Sequence, residues 1–189
     1  MNTSLASAPR AKHRTFFAVR PDPATAARIV ELTEDLRRRH GIAAPAMPAG
    51  RLHVSLNFVA KGAQAPPAED VARARKVVEG LDVRPFRVCL NRVVSWRNTG
   101  EARPLVLCGD EGVIGLERLH GALHRRLSAA GLAAPAEPER WMHMSLLWGR
   151  HDLILQPVAP IEWTVRELVL LDSLFGEGRH RLLGRWALG

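Results

Sequence analysis

This chain of 189 residues has no tyrosine and only two cysteines. Cys89 and Cys108 both sit in apolar stretches, where a thiol is most often buried and unpaired. No Cys/His spacing of the zinc-binding kind occurs, so no metal site and no cofactor is assigned. Long apolar runs are missing too. None approaches the roughly 20 residues of a membrane-spanning helix, and residues 1–12 lack the apolar centre of a signal peptide. The expectation is a cytoplasmic protein, monomeric by default, with a disordered tail over residues 1–12 and a single folded unit over residues 13–189. Acidic residues are in deficit: 19 Asp and Glu stand against 27 Lys and Arg, a formal net charge of +8. That excess favours anionic partners such as nucleic acid or nucleotides, although any Arg-rich soluble protein carries the same sign. Apolar residues make up 47% of the chain, which excludes disorder and supplies a packed core.

What is present, twice, is one short phrase. Leu52-His53-Val54-Ser55-Leu56 is echoed ninety positions later by Met142-His143-Met144-Ser145-Leu146. Each copy alternates with a period of two and reads as a strand. Alternation puts His53 and Ser55 on one face against Val54, Leu56 and Phe58 on the other. It puts His143 and Ser145 against Met142, Met144, Leu146 and Trp148. At about 3.3 Å per residue, each His–Ser pair spans roughly 7 Å along its strand. A lone strand histidine is usually structural. Two in the same apolar-Leu frame suggest one site built from two similar halves.

The surrounding segments are legible. Residues 15–19 form a strand. Asp22 is a good N-cap and Pro23 suits a first helical position. Ile29, Leu32 and Leu36 stripe that helix, and Gly41 closes it. Residues 66–80 read as a second helix and 113–130 as a third, striped by Leu116, Leu119, Leu123 and Leu127. Residues 86–96 and 104–108 read as a hairpin turning near Asn98-Thr99-Gly100. Residues 163–171 and 181–188 are two further strands. Hairpins between helices argue for α+β with antiparallel sheets rather than a doubly wound parallel fold.

Metal-free phosphodiester cleavage needs a base for the nucleophile and an acid for the leaving oxygen. Two histidines supply both near neutral pH. Ser55 and Ser145 can donate to the phosphate oxygens. A 2′,3′-cyclic phosphate is an apt substrate, since its opening needs only water, a base and an acid. Weaker signals have bland explanations. His120 and His124 are spaced for a metal but lack a third ligand, so they read as a helix flank. Arg37, Arg38, Arg39, Arg125 and Arg126 fit helix ends as well as RNA phosphates. Trp96, Trp141 and Trp148 could stack on bases, and the last two flank His143. The segment 176–178 reads as a hairpin turn.

The paired strands resemble the two-histidine (2H) phosphoesterase superfamily, and within it the bacterial and archaeal RNA 2′,3′-cyclic phosphodiesterases, also called 2′-5′ RNA ligases. The resemblance runs from Arg14 to Leu188, through Arg14-Thr15-Phe16-Phe17-Ala18-Val19, both His phrases, Gly178-Arg179-His180-Arg181 and Arg185-Trp186-Ala187-Leu188. It implies a bilobal α+β fold with pseudo-two-fold symmetry, two antiparallel sheets and flanking helices around a central cleft. It implies His53 and His143 as the acid/base pair, with the base left open, and Ser55 and Ser145 as phosphate-holding groups. The implied partner is an RNA or nucleotide with a 2′,3′-cyclic phosphate end, opened to a 2′-phosphate without a cofactor. Both family Thr positions are Ser here, the Pro before the second His is Met142, and the closing-strand Tyr is Leu182. An Arg usual after the second phrase is replaced by Trp148, and Arg150 is the nearest. Trp148 and Arg150 are therefore the substrate-binding candidates beyond the two serines. Two alternatives use the same residues: 2′-5′ ligation with a 5′-hydroxyl in place of water, and a nucleotide- or RNA-binding module whose catalysis has decayed.

Overall fold

The computed structural model describes residues 13–96, 101–132, 142–174 and 176–189. The expected tail over residues 1–12, the turn at Asn98, the loop over residues 133–139 and Trp141 lie outside the described residues. Eight strands and three α-helices follow in the order β1 (His13–Val19), α1 (Pro23–His40), β2 (Val54–Gly62), α2 (Ala68–Val78), β3 (Phe86–Ser95), β4 (Arg103–Cys108), α3 (Ile114–Ala129), β5 (His143–Gly149), β6 (Gln156–Val165), β7 (Glu167–Leu174) and β8 (Arg179–Ala187).

Local chemistry sets the helix ends. The Asp22 carboxylate accepts from the Thr25 backbone N–H at 2.9 Å, Pro23 opens the first turn, and Gly41 closes α1 at φ 61°. Leu116, Leu119, Leu123 and Leu127 are all fully buried, so the stripe in α3 is a core stripe.

All strand pairs are antiparallel, and their order is β6-β3-β4-β5-β2-β1-β7-β8. The sequence suggests two sheets. The structure has one, because the two His strands meet at a single ladder pair, Val54 with Met144. Both residues are completely buried, so the junction is sealed from below by the core. One strand escapes the sequence pattern. β6 carries Pro157 and Pro160, which disguise it, and it tolerates them because it lies at the edge of the sheet. The segment 163–171 is accordingly two strands, the end of β6 and most of β7.

One large core joins all three helices to one face of the sheet, through Phe17, Val19, Val54, Leu56, Met144 and Leu146. The helices brace across the junction. α1 follows β1 but packs against β5 and β6, and α3 packs against both β2 and β3. A second, small apolar cluster of Phe16, Ala18, Val169 and Leu171 lies on the other face. That face carries the histidines.

Candidate active site

The two phrases have the same burial pattern. Leu52, Val54 and Leu56 are buried, and His53 and Ser55 between them are partly exposed. Met142, Met144 and Leu146 repeat this around His143 and Ser145. Counting outward from the Val54–Met144 pair puts His53 across from Ser145 and Ser55 across from His143. In a regular ladder, directly opposite positions of this kind stand about 4.5–5.5 Å apart, and the two histidines, on the diagonal, about 7–8 Å apart. Each half thus offers its histidine beside the other half's hydroxyl, and all four groups share one face.

Beyond the serines the strands depart from simple alternation. Ala18 pairs with Ser55 but Phe16 with Phe58, so β2 has an extra residue against β1. Val106 pairs with Ser145 but Leu105 with Leu147, so β5 does the same against β4. These are β-bulges, and each turns the residue five places after its histidine onto the histidine face. Phe58 packs against Phe16 there, with ring centroids 5.6 Å apart. Trp148 pairs in register with Pro104 and is 50% exposed. Alternation places both on the opposite face. The bulges correct it, and they turn Trp148 onto the histidine face further along β5.

Each histidine rests on an aromatic ring. The Phe16 ring stacks on His53 at 5.2 Å, and the Trp96 ring meets His143 at 3.9 Å. Trp96 therefore backs a histidine directly. His53 Nδ1 lies 2.7 Å from the Arg51 carbonyl oxygen. A carbonyl only accepts, so Nδ1 carries the proton and Nε2 of the neutral ring is left as the acceptor.

A third histidine, missed as a site residue by sequence reasoning, completes this half. The His180 ring stands edge-on to His53 at 4.9 Å. Burial, then the charges of His53, Arg51 and Arg20, push its pKa down to about 3, so it is neutral at physiological pH. Strand register places it: Ser173 pairs with both Arg14 and His180, which fixes His180 to the histidine face. The one signal in the sequence is its position in the closing phrase Gly178-Arg179-His180-Arg181.

Other candidates have partners of their own. Arg150 is highly exposed and ion-paired with Glu101. Arg37, Arg38 and Arg39 pair with Glu34 and Asp35 on their own helix. Arg126 donates to the carbonyls of Val77, Glu79 and Gly80, tying α3 to the end of α2. His120 Nδ1 lies 3.0 Å from the Leu56 carbonyl oxygen. Among the described residues no three His, Cys, Asp or Glu side chains gather as a metal site, and no helix is long and apolar enough to cross a membrane. Cys89 and Cys108 are free thiols; Cys108 is buried, Cys89 only partly so.

No protein-family model and no curated protein matches the chain. Solved structures do. E. coli LigT complexed with 3′-AMP superposes with a TM-score of 0.73 over 95% of this chain and 99% of that one, at 24% identity. TT0787 of Thermus thermophilus gives 0.72 over 93% and 97%, at 23% identity. This is the two-histidine phosphoesterase fold. Usb1 of Kluyveromyces marxianus, at 14% identity, shares the two-histidine fold more distantly, with a TM-score of 0.54 over 92% of this chain and 98% of that one.

Proposed function

We propose that this chain is a metal-independent phosphoesterase that opens a 2′,3′-cyclic phosphate at an RNA or nucleotide end to a 2′-phosphate. The observation that carries the reading is the placement of both His-x-Ser pairs on one face, around the single Val54–Met144 pair. Its partner in inference is the fold, shared with E. coli LigT in complex with 3′-AMP.

In this reading His53 is the base. Its Nδ1 proton is committed to the Arg51 carbonyl, so Nε2 accepts a proton from the attacking water. The water oxygen bonds to phosphorus, and the bond from phosphorus to the 3′ oxygen breaks. His143, in its protonated form, delivers a proton to that oxygen. The products are a 3′-hydroxyl and a 2′-phosphate, and the two histidines end with their protonation states exchanged. Ser55 and Ser145 donate to the non-bridging oxygens, where charge builds in the transition state. Trp148 offers its half-exposed indole to the terminal base.

The test is turnover of a nucleoside 2′,3′-cyclic phosphate and of a short RNA bearing that end, in EDTA, with product analysis. A 2′-phosphate product, lost in both His53→Ala and His143→Ala, is the expected result. No turnover of either substrate by the wild type overturns the reading. A 2′-5′ linked product in the presence of 5′-hydroxyl RNA would make ligation the reaction instead.

A further inference from the structure

The histidine face is electrically lopsided. On the His53 side, three basic groups gather that the two-histidine chemistry does not require. Arg20 follows directly on β1, where Val19 pairs with Val54, so continuing the register sets it across from His53. Arg51 precedes the His53 strand. Its backbone holds His53, but its guanidinium reaches the turn between β7 and β8: a Cβ at Gly178 would lie 3.3 Å from Arg51 Nη1. Gly178 sits at φ 64°, so the turn keeps glycine there and leaves room for that guanidinium. His180 comes two residues after this turn and touches the His53 ring.

Counter-charge is scarce around this group. Arg20 feels one carboxylate, Glu167, and that one is shared with Arg185, whose Nε lies 3.5 Å away. Arg51 makes no ion pair among the described residues. The groups that act on His180 are all basic: His53, Arg51 and Arg20. Polar atoms also go unanswered. The Nε atoms of Arg20 and Arg51 and the Nδ1 atom of His180 are buried without a hydrogen-bond partner. Buried polar groups without partners are costly, and P–O oxygens of a bound anion would supply acceptors to the two guanidinium donors. Guanidinium groups select planar or tetrahedral oxyanions.

We propose that Arg20, Arg51 and His180 form a subsite for a second phosphate of the substrate. It would be the 5′ linking phosphate of the nucleotide whose terminal phosphate reacts at His53 and His143. The assignment rests on the phosphoesterase reading and narrows it. A cyclic phosphate end lies at the 3′ terminus of an RNA, so its nearest neighbouring phosphate is the one on its own 5′ oxygen. A lone nucleoside cyclic phosphate lacks that group. The subsite therefore selects an oligonucleotide end, or a nucleotide that also carries a 5′-phosphate. Bound there, the anion reverses the field at His180 and answers the orphaned donors around it.

Calorimetric titration with adenosine 2′-monophosphate and adenosine 2′,5′-bisphosphate reads the subsite without catalysis. The wild type is expected to bind the bisphosphate about tenfold or more tighter than the monophosphate, the contribution of a charge-assisted hydrogen bond. That ratio should fall to about twofold in Arg20→Gln and in Arg51→Gln, which keeps the carbonyl that holds His53. Arg87→Gln, an equal charge change at an exposed ion pair with Glu162, should leave the ratio intact. Equal affinity for the two ligands in the wild type overturns the subsite. So does a ratio that falls as far in Arg87→Gln as in the other variants, which would mark a general charge effect. The two readings fail separately. Tight bisphosphate binding with no turnover of any cyclic phosphate keeps the subsite and loses the enzyme. Turnover with equal affinities does the reverse.

Discussion

His53 and His143 carry equivalent positions but unequal surroundings. His53 donates to a backbone carbonyl and stands among His180, Arg51 and Arg20, whereas His143 lies against Trp96. In the proposed mechanism each has a different job, and kinetics can separate them. Loss of either ring should cost about 10² to 10⁴ in turnover of a cyclic phosphate. A phosphodiester with a 4-nitrophenolate leaving group needs no acid. On that substrate His143→Ala should recover most of its loss and His53→Ala should not. Recovery in His53→Ala instead would exchange the two roles.

His180 also makes a prediction for stability. Its folded pKa of about 3 lies below the ordinary histidine value of 6.5. Below pH 6.5 the unfolded chain takes up a proton that the folded chain refuses, so folding is penalised. The penalty is absent above pH 6.5 and grows as pH falls toward 3. Urea denaturation should show the wild type losing stability from about pH 7 to about pH 5 more steeply than His180→Asn. Parallel pH profiles for the two proteins would contradict the buried, neutral ring. The effect is moderated by solvent, because the ring is only partly buried.

Among the elements, the bulges decide what the histidines have for company. Period-two alternation located both His strands and their buried faces, because Val54, Leu56, Met144 and Leu146 report the core directly. It misplaced Phe58 and Trp148, because a bulge adds one residue without leaving a mark in the hydrophobic pattern. The helix α1 was legible to its caps, since capping is local chemistry. β6 was hidden by prolines that only an edge strand accepts. His180 could not be read as a site residue, because its neighbours come from β1 and β2, far away in sequence. The short segment leading into α3 is fixed by close packing that sequence also conceals. A Cβ at Gly112 would drive into the backbone carbonyl of Cys89 on β3. Gly112→Ala should therefore destabilise the fold by about 1–3 kcal/mol, measured by chemical denaturation, while Gly131→Ala near the end of α3 meets no neighbour and is strained only by its φ of 67°.

For the whole molecule, the joint between the two four-stranded halves is one ladder pair over a shared core. Met144 is completely buried at that joint. Met144→Ala should cost about 2–5 kcal/mol in stability. It should also depress turnover without touching a reacting group, because both His–Ser pairs take their spacing from this pair. Met144→Leu conserves volume and should cost less than about 1.5 kcal/mol. A Met144→Ala protein with full activity would show that the helices, not the ladder, set the distance across the face. The sequence resemblance anticipated the fold, but not that one sheet runs through it. It did not anticipate that α1 and α3 each pack beneath strands of both halves or of the opposite one, since helix docking leaves no local signature.

The strand order has a temporal consequence. β3, β4, β5 and β6 form one uninterrupted stretch of chain, so the half that houses His143 has all its strands once Val165 is made. The other half is gathered from both ends of the fold: β1 and β2 are made first and must wait for β7 and β8. Until then one edge of β1 stands bare, a hazard for a nascent chain. During synthesis, then, His53 exists long before His180 does. The ribosome delivers the His53 strand early and the flanking β8 residues last, so this face is complete only once β8 is made.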